Sequence, residues 1–425
     1  MFGSALKGVL KVRGAAEPAD PAPTDSSRRM PHVIHVGLQK AASTSVSDYL
    51  YAHGFCEPPH EVIQGGVEGL TKSGSSLFWK ELQVLSRIAY VKEYLKGGVP
   101  QMASVSHEYA SRFQTCAGNE RRLDATPEYI QQRVVPAILY QAMTPSERRE
   151  LRVVVVLRDP FARQLARFNE LAESCVQGAE GGDWRPWRCK QVCAKAEGAP
   201  RLTRQELRRC GKTRAFRAFE DYAADTLLNK HMKTGLAAAC RGVGIGKSMG
   251  RQKRDITIAD GMRGDEASSP LAYLLGVQRW ATVFGRKSVL VLDFAELVDV
   301  KGGGSARALG RLGGFLGLDE GSDKKWQRGE ERQDDAASTT LSHSNGMAKA
   351  VSEVPCAAWE RYGQEAVAQA GLLFEWMACT ADEASEHERG LWGAGGPAQE
   401  ALKAAWIGYD DRCGLEYSKD LRFPA

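Results

Sequence analysis

Residues 31–50 read PHVIHVGLQKAASTSVSDYL. Val33, Ile34 and Val36 are β-branched and suit a buried strand, Gly37 breaks it, and apolar residues resume at helical spacing with Val46, Tyr49 and Leu50. The stretch is a strand, a turn and a helix. In the turn, Lys40 precedes the small residues Ala41, Ala42, Ser43, Thr44 and Ser45, with nothing bulky to cover the backbone. Free N–H groups at a helix start, with hydroxyls and one cation, make an anion cradle. The same residues serve equally well as a plain turn capped by Ser43 or Thr44. They are not a Walker A sequence, because the lysine comes first and no Gly-Lys-Ser/Thr triplet follows.

Working outward, LRVVVVLRDP (residues 151–160) is the strongest strand signal in the chain. Its unbroken Val153–Leu157 run is typical of a parallel strand covered on both faces. Arg158 and Asp159 stand at its C-terminal end, where ligands bind in open α/β sheets, so Arg158 is placed for a second anion contact. The lesser alternative for Arg158 taken alone is a structural bridge to Asp159 or another carboxylate. A helix carrying Arg163 and Arg167 follows. Another strand precedes Asp124-Ala125-Thr126-Pro127, with a helix start near Pro127, and would put Asp124 beside the cradle.

Further signals are a surface-packed helix through Leu82, Leu85, Ile88, Tyr94 and Leu95, a helix through Tyr273, Val277, Trp280 and Phe284, and a strand Val289–Leu292. Helices follow at Ala306–Leu316, at Leu372–Met377 and after Gly390. The expected fold is three-layer α/β/α with a central parallel sheet. The chain is expected to form one domain over residues 31–425, after a disordered lead of residues 1–30 and with a flexible polar loop at 320–345.

The net charge of +5 is unevenly spread: residues 184–254 hold 18 Lys and Arg against 5 Asp and Glu. This basic block lies in an insert at about 174–264, irregular apart from a helical piece around Ala215 to Leu228, that carries Cys175, Cys189, Cys193, Cys210 and Cys240. It lacks the interleaved aromatics of a single-strand binder, so nucleic acid is not an expected partner. The cysteine spacing fits no zinc ribbon or finger, and one local disulfide or free structural thiols fit it equally. No apolar run is long enough to span a bilayer and no secretory h-region is evident, which favours the cytoplasm over the secretory lumen.

Five segments in order resemble the sulfotransferases that use 3′-phosphoadenosine 5′-phosphosulfate (PAPS), in particular their carbohydrate and heparan-sulfate branch. They are GLQKAASTS, DATPEY, VVVVLRDPFARQLARF, LAYLLGVQRWATVFGRKSVLVLDFAEL and FLGL. The resemblance covers most of residues 31–320 and implies a P-loop-like sulfotransferase fold. It implies that Lys40 contacts the bridging region of the phosphosulfate, that Ala41, Ala42, Ser43, Thr44 and Ser45 hold the 5′-phosphate, and that Arg158 holds the 3′-phosphate. PAPS would be the co-substrate and adenosine 3′,5′-bisphosphate the product, with no metal required. The acceptor would be a hydroxyl or amine on a glycan or small polar metabolite.

The sequence departs from that family in two places. The serine expected eight residues after the arginine is Ala166, for which Arg163 or Arg167 could compensate, and Arg389, before Gly390, is the candidate for a late basic contact. The carboxylate expected before the aromatic pair Phe78–Trp79 is Ser75. Glu61, Glu68, Glu81, His107 and Asp124 are therefore the candidate bases. Two other readings stay open: a nucleotide or small-molecule kinase built on the same cradle, and a non-catalytic relative that binds the bisphosphate alone.

Overall fold

The computed structural model describes residues 30–37, 40–56, 82–86, 102–117, 120–130, 132, 134–180, 186–194, 202–227, 270–318, 353–388, 390–392 and 396–420. The residue 1–29 lead and the 320–345 loop lie outside them. So do Glu61, Glu68, Glu81, Arg389, the aromatic pair Phe78–Trp79, Cys240, and residues 87–101 of the expected 82–95 helix. The described part of that expected helix is a short 3₁₀ turn, Val84–Ser86, with Leu82, Val84 and Leu85 buried rather than surface-packed.

Five strands, β1 (Val33–Gly37), β2 (Phe55–Cys56), β3 (Arg121–Asp124), β4 (Arg152–Leu157) and β5 (Val289–Asp293), form one sheet in the order β2-β3-β1-β4-β5, every pair parallel. The helices before β4 are α1 (Ser43–Ala52), α2 (Met102–Arg112), α3 (Val135–Ala142) and α4 (Pro145–Glu150). After it come α5 (Pro160–Ala179), α6 (Pro186–Val192), α7 (Arg204–Thr213), α8 (Phe219–Leu227) and α9 (Pro270–Phe284). Then follow α10 (Phe294–Val298), α11 (Gly304–Leu316), α12 (Cys356–Cys379) and α13 (Pro397–Cys413). Every residue of β1 and β5 and all but the first of β4 are buried, as parallel strands with both faces covered require.

The chain leaves β1 toward β2 and β3 on one side and places β4 and β5 on the other. β1 and β4 are therefore neighbours across the point where the strand order reverses, and the loops after them open into a common crevice. Gly37 ends β1 because the 3₁₀ turn Pro127–Ile130 presses against it: a Cβ there would stand 2.7 Å from Ile130 Cγ2 and 2.9 Å from the Pro127 carbonyl oxygen. Gly37→Ala is expected to cost about 1–3 kcal/mol through that overlap, seen as a lower denaturation midpoint; an unchanged midpoint would show that the turn yields freely.

The edge strand β5 is blunted. The Val291 N–H donates to Glu388 Oε2 at 2.9 Å and its carbonyl accepts from Trp392 Nε1 at 3.0 Å, so this stretch offers no open ladder to a second chain. Arg286 Nη1 donates to the same Glu388 oxygen at 3.0 Å, and the pair is buried, with side chains 4% and 1% exposed.

The insert is more regular than its sequence suggests: α5 runs on to Ala179 and α6 and α7 follow, while α8 falls within the helical piece expected around Ala215 to Leu228. Cys175–Cys189 and Cys193–Cys210 staple α5, α6 and α7 together. Within the insert these two bridges replace the expected single bridge or free thiols, and Cys56–Cys116 and Cys356–Cys413 tie more distant segments, which makes four disulfides among the described residues. Gly211 lets α7 close on α5, since a Cβ would lie 2.7 Å from Ala179 Cβ and from the Cys175 carbonyl oxygen. The exposed side of α7 presents Arg204, Arg208, Arg209 and Lys212.

Candidate functional site

The crevice between β1 and β4 is built from two strand ends. After β1, Lys40 and Ala42 adopt left-handed backbone, with φ of 66° and 58°. For residues with a Cβ this costs about 1–2 kcal/mol each, and such strain gathers where a loop is held for function. The second kink starts α1 with Ala42 at the N-cap, a residue with no side-chain oxygen to cap the helix, so neither Ser43 nor Thr44 is the N-cap. Ala41 is fully buried beneath the loop, while Ala42, Thr44 and Ser45 are half-buried at its surface. The start of a ten-residue helix thus faces the crevice with small residues around it.

Arg158, at the end of β4, fixes this loop from the far side. Its Nη1 donates to the Lys40 carbonyl oxygen at 2.6 Å, and its guanidinium lies over the Phe294 ring at 4.3 Å. Asp159 has another task. It caps α5 by accepting the Ala162 N–H at 2.8 Å, and its two oxygens also accept Trp406 Nε1 at 2.9 Å and Tyr409 Oη at 2.7 Å. The C-terminal helix α13 is thereby locked to the strand end that carries Arg158. A small cleft on this side is lined by Leu157, Arg158, Pro160, Asp293, Trp392 and Leu402. Burial lifts the Asp293 carboxyl to about 6, although it caps α10 through the Glu296 N–H.

The Lys40 ammonium points to α5. Its Nζ is 3.2 Å from Glu170 Oε1, and Glu170 Oε2 accepts from Arg167 Nη1 at 2.5 Å. Burial opposes the Glu170 charge, but Arg167 and Lys40 outweigh it and hold the carboxyl below its ordinary value. Cradle, Arg158, Lys40 and Arg167 together present a cationic rim with one internal carboxylate. Such a rim can hold a group bearing two or more negative charges and can stabilise charge that builds on a departing oxygen.

Lys40, Ala41, Ala42, Ser43, Thr44, Ser45 and Arg158 are brought together as the sequence leads one to expect. Two candidate bases are not. His107 is exposed on α2, a helix that supplies none of the residues of the cradle. Asp124 is fully buried at the end of β3, accepting Tyr109 Oη at 2.8 Å, Tyr129 Oη at 3.1 Å and Thr126 Oγ1 at 2.6 Å. Burial raises its carboxyl to about 6 against those bonds and one from the Leu82 backbone. Asp124 pins the Leu82–Leu85 segment to the sheet and is closed to an acceptor. Of the residues that could stand in for the serine missing at Ala166, Arg163 is buried, while Arg167 reaches the rim.

Glu170, Phe294, Trp406 and Tyr409 are the contributors that sequence reasoning missed. The spacing of Arg163, Arg167 and Glu170 on one helix face hinted at an Arg167–Glu170 pair, but nothing local pointed from Glu170 to Lys40. No family model, curated protein or solved structure matches the chain.

Proposed function

We propose that this protein is a PAPS-dependent sulfotransferase acting on a hydroxyl or amine of a glycan or small polar metabolite. One observation supports the reading above the others: the Lys40 loop and Arg158, from two strands far apart in sequence, meet at the sheet's reversal point and touch through the Lys40 carbonyl. A donor with a phosphosulfate at one end and a 3′-phosphate at the other needs two such anion contacts. Sulfuryl transfer, like phosphoryl transfer, depends chiefly on positioning and on neutralising charge on the leaving phosphate. Lys40 and the start of α1 would serve the phosphosulfate, and Arg158 the 3′-phosphate.

The compartment is part of the same proposal. The four disulfides among the described residues favour an oxidising lumen or exterior over the cytoplasm that the sequence favours. Among the described residues no helix is long and apolar enough to cross a membrane.

Adenosine 3′,5′-bisphosphate tests the reading. At a hundred times its dissociation constant it stabilises the fold by about 2.7 kcal/mol, a clear rise in the thermal midpoint. Arg158→Met keeps an apolar stem over Phe294 but removes the charged hydrogen bonds, and is expected to weaken binding about 10- to 100-fold, the equivalent of 1.5–3 kcal/mol. A folded wild-type protein that shows no stabilisation at saturating bisphosphate overturns the proposal. Ala166, in place of the expected serine, keeps a non-catalytic bisphosphate binder as the second reading; that protein would bind but move no label from PAPS to any acceptor.

A further inference from the structure

The reaction proposed above needs a base wherever the acceptor is a hydroxyl or a protonated amine, and the carboxylate expected from sequence is missing at Ser75. Glu170 is not a structural bridge of the Arg286–Glu388 kind. The Lys40 and Glu170 side chains are 31% and 29% exposed, against 4% and 1% for the buried pair, so solvent and ligands reach the former. It stands in the third turn of α5, the helix that begins directly after Arg158 and Asp159, and its carboxylate touches the one ammonium of the cradle loop.

We propose that Glu170 is the general base of the transfer: it holds Lys40 until the donor takes that ammonium, and then receives the acceptor's proton. This rests on the sulfotransferase reading. The Glu170 carboxylate lies 3.2 Å from Lys40 Nζ, so once the ammonium turns to the donor the carboxylate borders the space that donor and acceptor share, where a base has to come within about 3 Å of the acceptor. The step balances: the O–H or N–H proton passes to Glu170 and the acceptor's electron pair forms the new bond to sulfur. The bond between sulfur and the bridging oxygen breaks with its electrons, leaving the charge on the bisphosphate beside Lys40.

Exchange of partners also times the base. Lys40 and Arg167 are the charges facing Glu170, with Tyr222 and Glu128 acting on Arg167 from behind. With both cations in place the carboxylate is a poor proton acceptor. When Lys40 turns to the donor, only Arg167 remains and burial regains its hold, raising basicity at the moment it is needed.

The test compares wild type, Glu170→Gln and Lys40→Ala. Each is given labelled PAPS with a panel of desulfated heparin, chondroitin, glucosamine and p-nitrophenol, and each is titrated separately with adenosine 3′,5′-bisphosphate. The expected result is a Glu170→Gln protein that folds, binds the bisphosphate as tightly as wild type or up to about tenfold more tightly, and transfers label 10²- to 10⁴-fold more slowly, without the acid limb of the wild-type pH profile. A purely structural pair would lose affinity or stability and leave that limb in place. Glu170→Gln turning over within threefold of wild type overturns the base while the sulfotransferase reading stands. A wild type that binds the bisphosphate but labels no member of the panel also overturns the base and leaves the cradle intact. A wild type that neither binds nor transfers overturns both.

Discussion

Lys40→Ala is expected to lower sulfate transfer from PAPS by at least about 10²–10³, the cost of removing one preorganised group that stabilises a developing negative charge. The fold should survive. Lys40 Nζ and Glu170 form a pair about one-third exposed, of the kind that contributes little to stability. The left-handed backbone at position 40 is no harder for alanine than for lysine, and the grip of Arg158 on this loop is to the backbone carbonyl, which alanine retains. Loss of transfer with a thermal midpoint within a few degrees of wild type would place the defect in chemistry. Transfer retained within tenfold would remove Lys40 from the reacting centre, and with it the basis for placing the phosphosulfate on this loop.

Glu388→Ala should be the most damaging change to the fold. Removing one partner of a buried ion pair costs about 3–5 kcal/mol, because the other charge is left without a counterion. Here that charge is the Arg286 guanidinium, 4% exposed, whose other contacts include the Val289 carbonyl and Met377 Sδ. The Val291 N–H on the edge of β5 loses its acceptor as well. Chemical denaturation should show the loss as a lower midpoint. The double variant Arg286→Met, Glu388→Met should recover much of it, since buried pairs replaced by apolar side chains are often neutral or better. A single variant costing under 1 kcal/mol, roughly the value of an exposed pair, would mean that water reaches Arg286.

The two predictions probe opposite kinds of ion pair. Lys40–Glu170 is about one-third exposed and sits on a loop with left-handed backbone, whereas Arg286–Glu388 is buried with Trp376 against the guanidinium. In the proposed reaction the first pair exchanges partners while the second only holds the fold, and exposure distinguishes them.

Much of the frame was legible. The β-branched run at Val33–Val36, the Val153–Val156 run and the Val289–Leu292 strand all fall in the sheet, because buried parallel strands need continuous apolar sequence. β2 was missed because two residues carry no period. The insert's α6 and α7 read as irregular because they are short and basic and are held by disulfides whose pairing cysteine spacing does not specify. Asp124 sat at the strand end where a base was sought, yet its Tyr109, Tyr129 and Thr126 donors come from segments that sequence order alone does not bring together.

By itself the sequence determined that strands at residues 33–37 and 152–157 each end in a cationic residue or loop, because strand propensity and turn chemistry are local properties. Only the tertiary structure decided that β1 and β4 are neighbours, that Arg158 grips the Lys40 carbonyl, and that Glu170 meets the Lys40 ammonium. The Arg158 and Glu170 contacts join residues 118 or more apart in sequence, and they exist only once the sheet has fixed which strand ends share a crevice.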